Sequence, residues 1–320
     1  MRLRAATRAS TLARWQTDHV IALLGQAHRS EVTVEVVVVE TEGDRRGDVP
    51  IEQIGGRGVF VKEVQAAVLE GRADIAVHSA KDLPAAPALQ PEGLVLACVP
   101  EREDPRDALV GGTLATLPVA ALVATGSVRR RVQLANLRPD LCFSGLRGNV
   151  ETRLARASRY DAVVVAAAAL RRLGRREAAA CELDPDVLLP QVGQGALAVE
   201  CRADDAAVLA ALGTVEHAPS RRAVDAERAF LAHLGGGCDL PVGALARVDA
   251  GGQVHAEGLL ASYDGRMVLR RSCRGGDPVA VGAQLARALL EGAGGTALGQ
   301  GAGGAPDCAG DRLFGGGRAG

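Results

Sequence analysis

One short segment of the chain brings a hydroxyl, an amine and a carboxylate together. His78 to Asp82 (HSAKD) follows the apolar run Ala73 to His78, whose composition predicts a buried strand. Ligands of α/β proteins bind outside the carboxyl ends of such strands. At that edge, Asp82 beside the amine of Lys81 could transfer a proton or stabilise a cationic transition state. The alternative interpretation is an ordinary turn before Pro84 with an exposed ion pair.

A second segment has the charge to bind anions. From Arg129 to Arg176, twelve arginines stand against three acidic residues, which is a net charge of +9 within 48 residues. Arginine forks and helix N-termini both favour carboxylate or phosphate groups. The alternative is a solvated surface enriched in arginine. The arginines that follow predicted strands are Arg129, Arg130, Arg131, Arg147 and Arg153.

Cys238 is the third candidate for chemistry. The three glycines before it, Gly235 to Gly237, allow unusual φ values and close approach of the backbone, which leaves the sulfur accessible. An accessible thiol can become a point of covalent attachment. The alternative is a small apolar loop residue, which is the common role of a single cysteine in a reduced protein.

Composition limits the function classes that the chain can belong to. With 320 residues, 37 basic and 38 acidic side chains, the formal net charge of −1 argues against a nonspecific nucleic-acid or membrane-surface binder. Four Phe, two Tyr and one Trp are too few for the stacking surfaces of single-strand binders. Lysine occurs only as Lys62 and Lys81, which indicates positions where a compact ammonium is needed.

The cysteines and the hydropathy pattern predict a cytoplasmic protein. Seven widely spaced cysteines form no C-x-x-C pair, so neither a disulfide framework nor a metal site is expected. No apolar region follows the N-terminal charges, and no run of about 18 apolar residues occurs. We therefore expect a soluble protein that is neither exported nor membrane-spanning.

The elements that must position these side chains follow an α/β pattern. Val32 to Glu40 is β-branched and nearly continuous, which predicts a strand buried on both faces of a sheet. Helical periodicity covers Ser10 to Gln26, and a helix over Val59 to Leu69 follows a glycine-rich turn. The alternation predicts parallel sheets with crossover helices. Further strands are expected over Ala73 to His78, Leu122 to Thr125, Leu141 to Ser144, Asp161 to Ala167 and Ala196 to Cys201.

Two segments are typical of crossings between domains. Cys98 to Asp107 is charged and contains proline, and Leu188 to Gly195 combines proline with two glycines. A chain that leaves one α/β domain, builds a second and returns encloses a two-lobed cleft. Later, a helix over Ser220 to Leu234 precedes a small antiparallel sheet, which predicts an α+β domain. The strands expected there are Val242 to Val248, Val254 to Ala261 and Met267 to Ser272.

These patterns divide the chain into three domains and a tail. The tail has glycine at 12 of its 29 positions and is expected to be disordered. The predicted units are an α/β domain over 1–99 and 194–216, an arginine-rich α/β domain over 100–193, an α+β domain over 217–291 and the tail over 292–320.

Eight motifs in one order resemble those of the porphobilinogen deaminase family, also called hydroxymethylbilane synthase. The resemblance extends from Leu3 to about Leu290, and eight motifs in order are far more specific than any single pattern. The motifs are ATRASTLARWQ (6–16), GGRGVFVKE (55–63), ADIAVHSAKDLP (73–84), EREDPRDA (101–108), ATGSVRRRVQL (124–134), LRGNVETRL (146–154), VGQGALAVEC (192–201) and GGGCDLPVGA (235–244).

The resemblance implies a transferase of haem and tetrapyrrole biosynthesis. Such an enzyme joins four porphobilinogen molecules head to tail on a covalently bound dipyrromethane primer, releases ammonia at each step and hydrolytically releases linear hydroxymethylbilane. It also implies two periplasmic-binding-protein-like α/β lobes around a cleft, a small C-terminal α+β domain and a monomer without nucleic-acid or membrane partners. Each added monomer brings two carboxylates, so an arginine-rich lobe is a suitable counter-surface.

Residue roles follow from the same resemblance. Asp82 matches the aspartate that assists loss of the amino group and stabilises positive charge at the pyrrole nitrogens, and Cys238 matches the thioether attachment point. No metal is implied. Matches to further cofactor-binding positions are Lys81, Ser79, Ser10, Arg129, Arg130, Thr125 and Ser127. Matches to substrate-binding positions are Arg8, Arg147, Arg153, Arg172, Gln16 and Gln194.

A two-lobed solute-binding protein is the main alternative, because the cleft and its arginines would also serve an anion receptor. That class does not need Asp82 or Cys238, and it usually carries an export signal, which is not expected here. The sequence departs from the family pattern at Thr11, Arg57 and Gly126. Arg57 replaces a lysine in the glycine-rich segment, and the two side chains form different hydrogen bonds.

Overall fold

The computed structural model describes residues 1–29, 31–45, 58, 60–235 and 240–291, and within this part the strands form three sheets. Strands are numbered along the chain. The first sheet has the order β2 (Thr33–Val39), β1 (Arg2–Arg8), β3 (Ile75–Ser79), β10 (Leu197–Arg202) and β4 (Leu94–Cys98). The second has the order β7 (Cys142–Ser144), β6 (Leu122–Ala124), β8 (Ala162–Ala166), β5 (Asp107–Val110) and β9 (Cys181–Leu183). The third has the order β11 (Val242–Val248), β12 (Val254–Ala261) and β13 (Val268–Gly275).

Helices cover both faces of the first two sheets. The helices are α1 (Thr11–Ala27), α2 (Glu42–Arg45), α3 (Lys62–Leu69), α4 (Val128–Leu137), α5 (Val150–Ala155), α6 (Ala167–Arg172), α7 (Ala206–Gly213), α8 (Ala218–His233) and α9 (Pro278–Leu290). In the first lobe, α1 and α7 share one apolar core with the sheet, whereas α3 packs in a separate core with the alternate strand residues. In the second lobe, α4 packs in one core and α5 and α6 in another. Side chains that alternate along a strand point to opposite faces, which separates these cores.

The third sheet packs against α8 and α9 around one core that contains Phe230 and Leu285. The molecule is therefore an α/β protein of two sheet-and-helix lobes with a small α+β unit after them, which confirms the predicted fold class. The residues that the structure describes include no helix long and apolar enough to cross a membrane.

The prediction of parallel sheets is wrong in one respect, because both large sheets are mixed. β1 pairs in parallel with β2 and β3, but β10 runs antiparallel to β3 and β4. In the second sheet β6 pairs in parallel with β7 and β8, but β5 runs antiparallel to β8 and β9. β5 and β10 each follow a segment that crosses between the sheets. Each of these strands enters its sheet at the edge where the parallel strands end, because no crossover helix first returns the chain to the other edge. Each therefore runs opposite to the parallel strands.

The strand expected over Val32 to Glu40 is present as β2, but its burial on both faces is wrong. β2 is the edge strand of the first sheet, and Val38 is 47% exposed. A β-branched run predicts a strand, whereas its neighbours in the sheet decide how much of it is covered. Sequence patterns also missed the helices α2, α7 and α9 and the strands β1, β4, β5 and β9.

Three expectations concern residues outside the described ranges. These are the disorder of the tail over 292–320, the accessibility of Cys238 and the glycine-rich segment with Arg57.

Candidate active site

The turn after β3 carries the amine and the carboxylate that the sequence brings together. A single turn of 3-10 helix, Ala80–Asp82, begins directly after Ser79. The backbone N of Ala80 donates to the carbonyl O of Ala196 at 3.0 Å, and that of Leu83 donates to the carbonyl O of Ala80 at 3.3 Å. The turn is thus tied to the residue before β10, and it places Lys81 and Asp82 at the carboxyl end of β3.

The end of the neighbouring strand β1 brings further polar groups to the same edge. Ser10 caps α1, since its side chain accepts a hydrogen bond from the backbone N of Ala13 at 3.3 Å. Nε2 of Gln16 donates to Oγ of Ser79 at 2.9 Å. The guanidinium of Arg8 lies 4.2 Å from the centre of the Phe60 ring. The parallel pairing of β1 and β3 explains why motifs some seventy residues apart meet here.

Residues of the second lobe come together where its parallel strands end. Thr125 follows β6, and its Oγ1 accepts a hydrogen bond from the backbone N of Ser127 at 3.2 Å. Ser127 caps α4 by accepting from the backbone N of Arg130 at 3.4 Å. Asn149 caps α5 in the same manner. Nε of Arg153, on α5, donates to the carbonyl O of Gly148 at 2.9 Å, which orients the guanidinium.

Arg129 and Arg130 form a buried cluster with Asp107. Nη2 of Arg129 and Nη2 of Arg130 each donate to the Asp107 carboxylate at 2.7 Å, and the carboxylate is 0% exposed. The carbonyl oxygens of Leu189 and Val164 accept further bonds from the two guanidiniums. Burial alone would raise the pKa of Asp107, but the two positive charges hold it well below its usual range.

The net charge of +9 therefore overstates the free positive charge of the second lobe. Asp107 neutralises part of the charge of Arg129 and Arg130, and it lies outside the segment that was counted. Arg171 likewise pairs with acidic residues outside that segment, namely Glu103, Asp104 and Glu182. Charge counted along the chain cannot include partners that only the fold brings close.

Gln194 connects the two lobes. It is fully buried, and its Oε1 lies 3.5 Å from Nζ of Lys81 in the first lobe. Its Nε2 donates to Oδ1 of Asp107 in the second lobe at 2.8 Å. Burial, together with the charges of Arg130 and Arg153, lowers the pKa of the Lys81 amine to about 8, although Asp82 and Asp107 oppose the shift. The amine thus lies among charges from both lobes.

Arg153 of the second lobe interacts electrostatically with Asp82 of the first. Burial, together with the neighbouring charges of Arg130 and Arg147, lowers the pKa of Arg153 to about 10, and Asp82 opposes this shift. The carboxylate of the first lobe therefore lies within electrostatic range of the Arg153 guanidinium of the second.

Arg172 lies at a contact between the lobes. It is 8% exposed, its Nη2 donates to the carbonyl O of Gly195 at 2.6 Å, and its guanidinium lies 5.7 Å from the ring centre of Trp15 on α1. Burial lowers its pKa to about 10. Trp15 stacks on His19, with ring centroids 5.1 Å apart.

Sequence reasoning missed Asp107 and Glu227 as members of this site. Asp107 ends the motif EREDPRD and begins an apolar strand, which was the available signal for a buried counter-charge. Glu227 has no such signal, because it is one of several charged residues on an amphipathic helix. Its burial beside both crossing segments is a tertiary property.

A small crevice lies between α4, the second crossing segment and the third sheet. Its lining includes Ser127, Arg129, Val242 and Leu240, and Nε of Arg129 is a buried donor that has no hydrogen-bond partner among the described residues. Leu240 is two positions from Cys238 in sequence. A guanidinium donor of this kind can bind a carboxylate.

A cleft between two α/β lobes, with one carboxylate facing guanidiniums and an amine, is the site of an enzyme that acts on an anionic substrate. Two family models match the chain: "Porphobilinogen deaminase, dipyromethane cofactor binding domain" over residues 3–210 and "Porphobilinogen deaminase, C-terminal domain" over residues 222–291. The porphobilinogen deaminase of Roseiflexus castenholzii is 50% identical over 302 residues, which is 92% of this chain and 98% of the relative. That of Brevibacillus brevis is 43% identical over 297 residues, which is 91% and 95% of the two chains.

The chain belongs to the porphobilinogen deaminase family. It is a transferase with a dipyrromethane cofactor, and the reaction of the family is the stepwise deamination and head-to-tail condensation of four porphobilinogen molecules into hydroxymethylbilane. A solved nutrient-binding protein from Burkholderia cenocepacia bound to methionine covers 66% of this chain and 90% of its own, at 13% identity and a TM-score of 0.42. These values are too low to transfer a ligand to this chain.

Proposed function

We propose that Asp82 is the catalytic carboxylate of this condensation and that Cys238 is the attachment point of the primer. The observation that supports this proposal is the position of Lys81 and Asp82 at the carboxyl end of β3, opposite Arg153. The dipyrromethane, when bound, would supply the nucleophilic pyrrole carbon to which the first substrate is joined, and the end of the growing chain would supply it for each later one. Asp82 would stabilise the positive charge that develops at pyrrole nitrogen while ammonia leaves.

The groups that hold the primer are proposed to come from both lobes. From the first lobe these are Lys81, Ser79 and Ser10, and from the second Thr125, Ser127, Arg129 and Arg130. Because Arg129 and Arg130 already bind Asp107, they would act through their remaining donors and through the shape that their cluster imposes. The buried Nε of Arg129 in the crevice near Leu240 supports this role.

The acetate and propionate groups of the substrate are proposed to bind Arg8, Arg147, Arg153 and Arg172, with Gln16 and Gln194 supporting the cleft. Guanidinium forks bind carboxylates in a fixed orientation, which holds the reacting carbons close together. Covalent attachment of the primer adds to this effect, since each addition becomes a reaction within one complex.

We further propose the domain division made from the sequence, with catalysis in 1–99 and 194–216, carboxylate binding in 100–193 and primer attachment in 217–291. The sheet order supports this division, because β4 and β10 belong to the first sheet whereas β5 and β9 belong to the second. We also propose a cytoplasmic monomer without nucleic-acid or membrane partners. The net charge of −1 supports the last part of this proposal, and the widely spaced cysteines support the compartment. Light scattering of the purified protein on a sizing column tests the oligomeric state.

Intact-protein mass spectrometry tests the central proposal. The purified protein should carry an adduct with the mass of a dipyrromethane, and peptide mapping should locate it at Cys238. Incubation with porphobilinogen should then add successive monomer masses. A protein without the adduct that still produced hydroxymethylbilane would contradict the proposed attachment.

A further inference from the structure

One buried carboxylate ties the third sheet to both segments that cross between the lobes. Glu227, on α8, is 1% exposed. Its Oε1 accepts hydrogen bonds from Nη1 of Arg102 at 2.6 Å and from the backbone N of Ala246 at 2.8 Å. Its Oε2 accepts from the backbone N of Gly193 at 2.7 Å and from Nη2 of Arg102 at 3.2 Å. A buried carboxylate with four donors fixes all of their groups in one arrangement.

Gly193 in turn lies against the turn that carries Lys81. It has a φ of +72°, and a Cβ at this position would lie 3.0 Å from both the carbonyl carbon of Ala80 and the backbone N of Lys81. Two glutamines contact Lys81, both at 3.5 Å. Nε2 of Gln191 donates to the carbonyl O of Lys81, and Oε1 of Gln194 accepts from Nζ of Lys81. The space beside Gly193 is thus too small for a side chain, which means that its backbone packs closely against Ala80 and Lys81, and a displaced Gly193 would disturb the turn.

The next residue of α8 holds the other side of the same turn. Nη2 of Arg228 donates to the carbonyl O of Pro84 at 2.9 Å, and Nη1 of Arg228 lies 3.5 Å from the carbonyl O of Leu83. Two consecutive residues of α8 therefore hold the chain on both sides of Asp82. Glu227 acts on the residues before it through Gly193, and Arg228 binds the residues after it directly.

From these contacts we infer that Glu227 is a positioning residue for the reaction, which sets the place of Lys81 and Asp82 through Gly193. The inference rests on the proposed roles of Lys81 and Asp82. Glu227 is buried among Arg102, the crossing segments and β11, so it acts through these groups and not on the substrate. Its replacement should therefore lower the rate of the chemical step more than the affinity for porphobilinogen.

The test compares Glu227→Gln with Asp225→Asn in the primer-loaded protein. Asp225 lies two positions earlier on α8 and pairs with Arg221, with both side chains about one-third exposed, so it is a matched control for the loss of one ion pair on this helix. We expect Glu227→Gln to lower kcat by about 10-fold to 100-fold with little change of KM, because misplacement of reacting groups has effects of this order. Asp225→Asn should leave both values unchanged.

A second readout does not depend on turnover. The chain has two lysines, and Lys62 is exposed at the start of α3, so it is an internal reference for Lys81. Trace acetylation followed by peptide mapping reports the ratio of labelling at Lys81 to that at Lys62. Glu227→Gln should change this ratio, because the contacts of Lys81 with Gln191 and Gln194 depend on the held segment, and Asp225→Asn should not.

The outcomes separate this inference from the proposed function. If Glu227→Gln lowers only the melting temperature and leaves kcat and the labelling ratio unchanged, Glu227 is merely structural and the inference is wrong. Should that variant not fold, Glu227→Asp keeps the charge but shortens the reach, and the same two readouts apply. Full turnover by Asp82→Asn would instead refute the proposed catalytic residue.

Discussion

Arg130 donates two hydrogen bonds to a single oxygen of Asp107, at 2.7 and 3.1 Å, in a site that excludes solvent from the carboxylate. Arg129 binds the other oxygen, so one carboxylate offsets two buried guanidiniums. Gln194 extends this cluster to Lys81 of the first lobe. The arginine motif therefore has a structural function in the second lobe in addition to its proposed role in binding the primer.

Asp107→Asn should strongly destabilise the protein. Removal of one partner from a buried ion pair leaves uncompensated charge, and the typical cost is about 3–5 kcal/mol. Urea unfolding of the variant measures this loss. Glu35→Gln, which removes the exposed partner of Arg2, is the control and should have no measurable effect. A loss for Asp107→Asn no larger than that of the control would contradict the structural role of the cluster.

Asp82→Asn should nearly abolish turnover while the fold and the covalent primer remain. The amide has a similar shape but cannot offer a negative charge to the cationic transition state. Steady-state assay gives kcat, and intact mass shows whether the primer is present. A primer-loaded variant with normal kcat would remove Asp82 from the catalytic role.

Cys238→Ser should yield a protein without the dipyrromethane adduct. Without the sulfur no thioether can form. A serine hydroxyl is a weaker nucleophile than a thiolate, so we expect no ether bond to the primer in its place. Intact mass is the measurement, and Cys273→Ser in the third sheet is the control, which should keep the adduct. A two-pyrrole adduct on the Cys238 variant would show that attachment is elsewhere.

Arg153→Leu should stall chain elongation or block assembly of the primer. The guanidinium is held by Gly148 near Asp82, so its loss leaves substrate carboxylates without a counter-charge close to the reacting groups. Mass spectrometry of the protein during turnover should show intermediates accumulating at a shorter length, and Arg147→Leu should have a related effect. Arg159→Leu, an exposed arginine of the same lobe, should give the wild-type pattern. The same intermediates in all three variants would argue against carboxylate binding by Arg153.

Lys81 should make the cofactor-free protein more stable as the pH rises above about 8. Burial lowers the pKa of its amine to about 8. A lysine in an unfolded chain titrates near about 10.4, so between these values the unfolded state binds more protons and the free energy of unfolding increases with pH.

Lys81→Met, in a Cys238→Ser background, should remove this increase. The measurement is urea unfolding of the variant and of its Cys238→Ser parent at about pH 7.5 and about pH 9.5, which bracket most of that window. Identical pH dependence in the two proteins would show that Lys81 is not a buried amine.

Residue patterns were enough to predict the family, the fold class and nine of the strands. Apolar periodicity predicted the strands that end at Ser79, Ala124 and Ser144, because a buried strand needs a continuous apolar run. The turn with Lys81 and Asp82, and the caps Ser10 and Ser127, follow local rules that the residue types impose. The motifs then identified the family before any contact was known.

Which charges form pairs depends on the fold. Asp107 and Arg129 are 22 positions apart and Glu227 and Arg102 are 125 apart, so the local pattern could indicate a buried Asp107 but not the partner of either carboxylate. The direction of β5 and β10 likewise depends on how the chain crosses between the lobes, and the exposure of Val38 depends on the place of β2 at the edge of its sheet. The physical reason is the same in each case: local propensity acts over a few residues, whereas burial and charge pairing depend on distance in space.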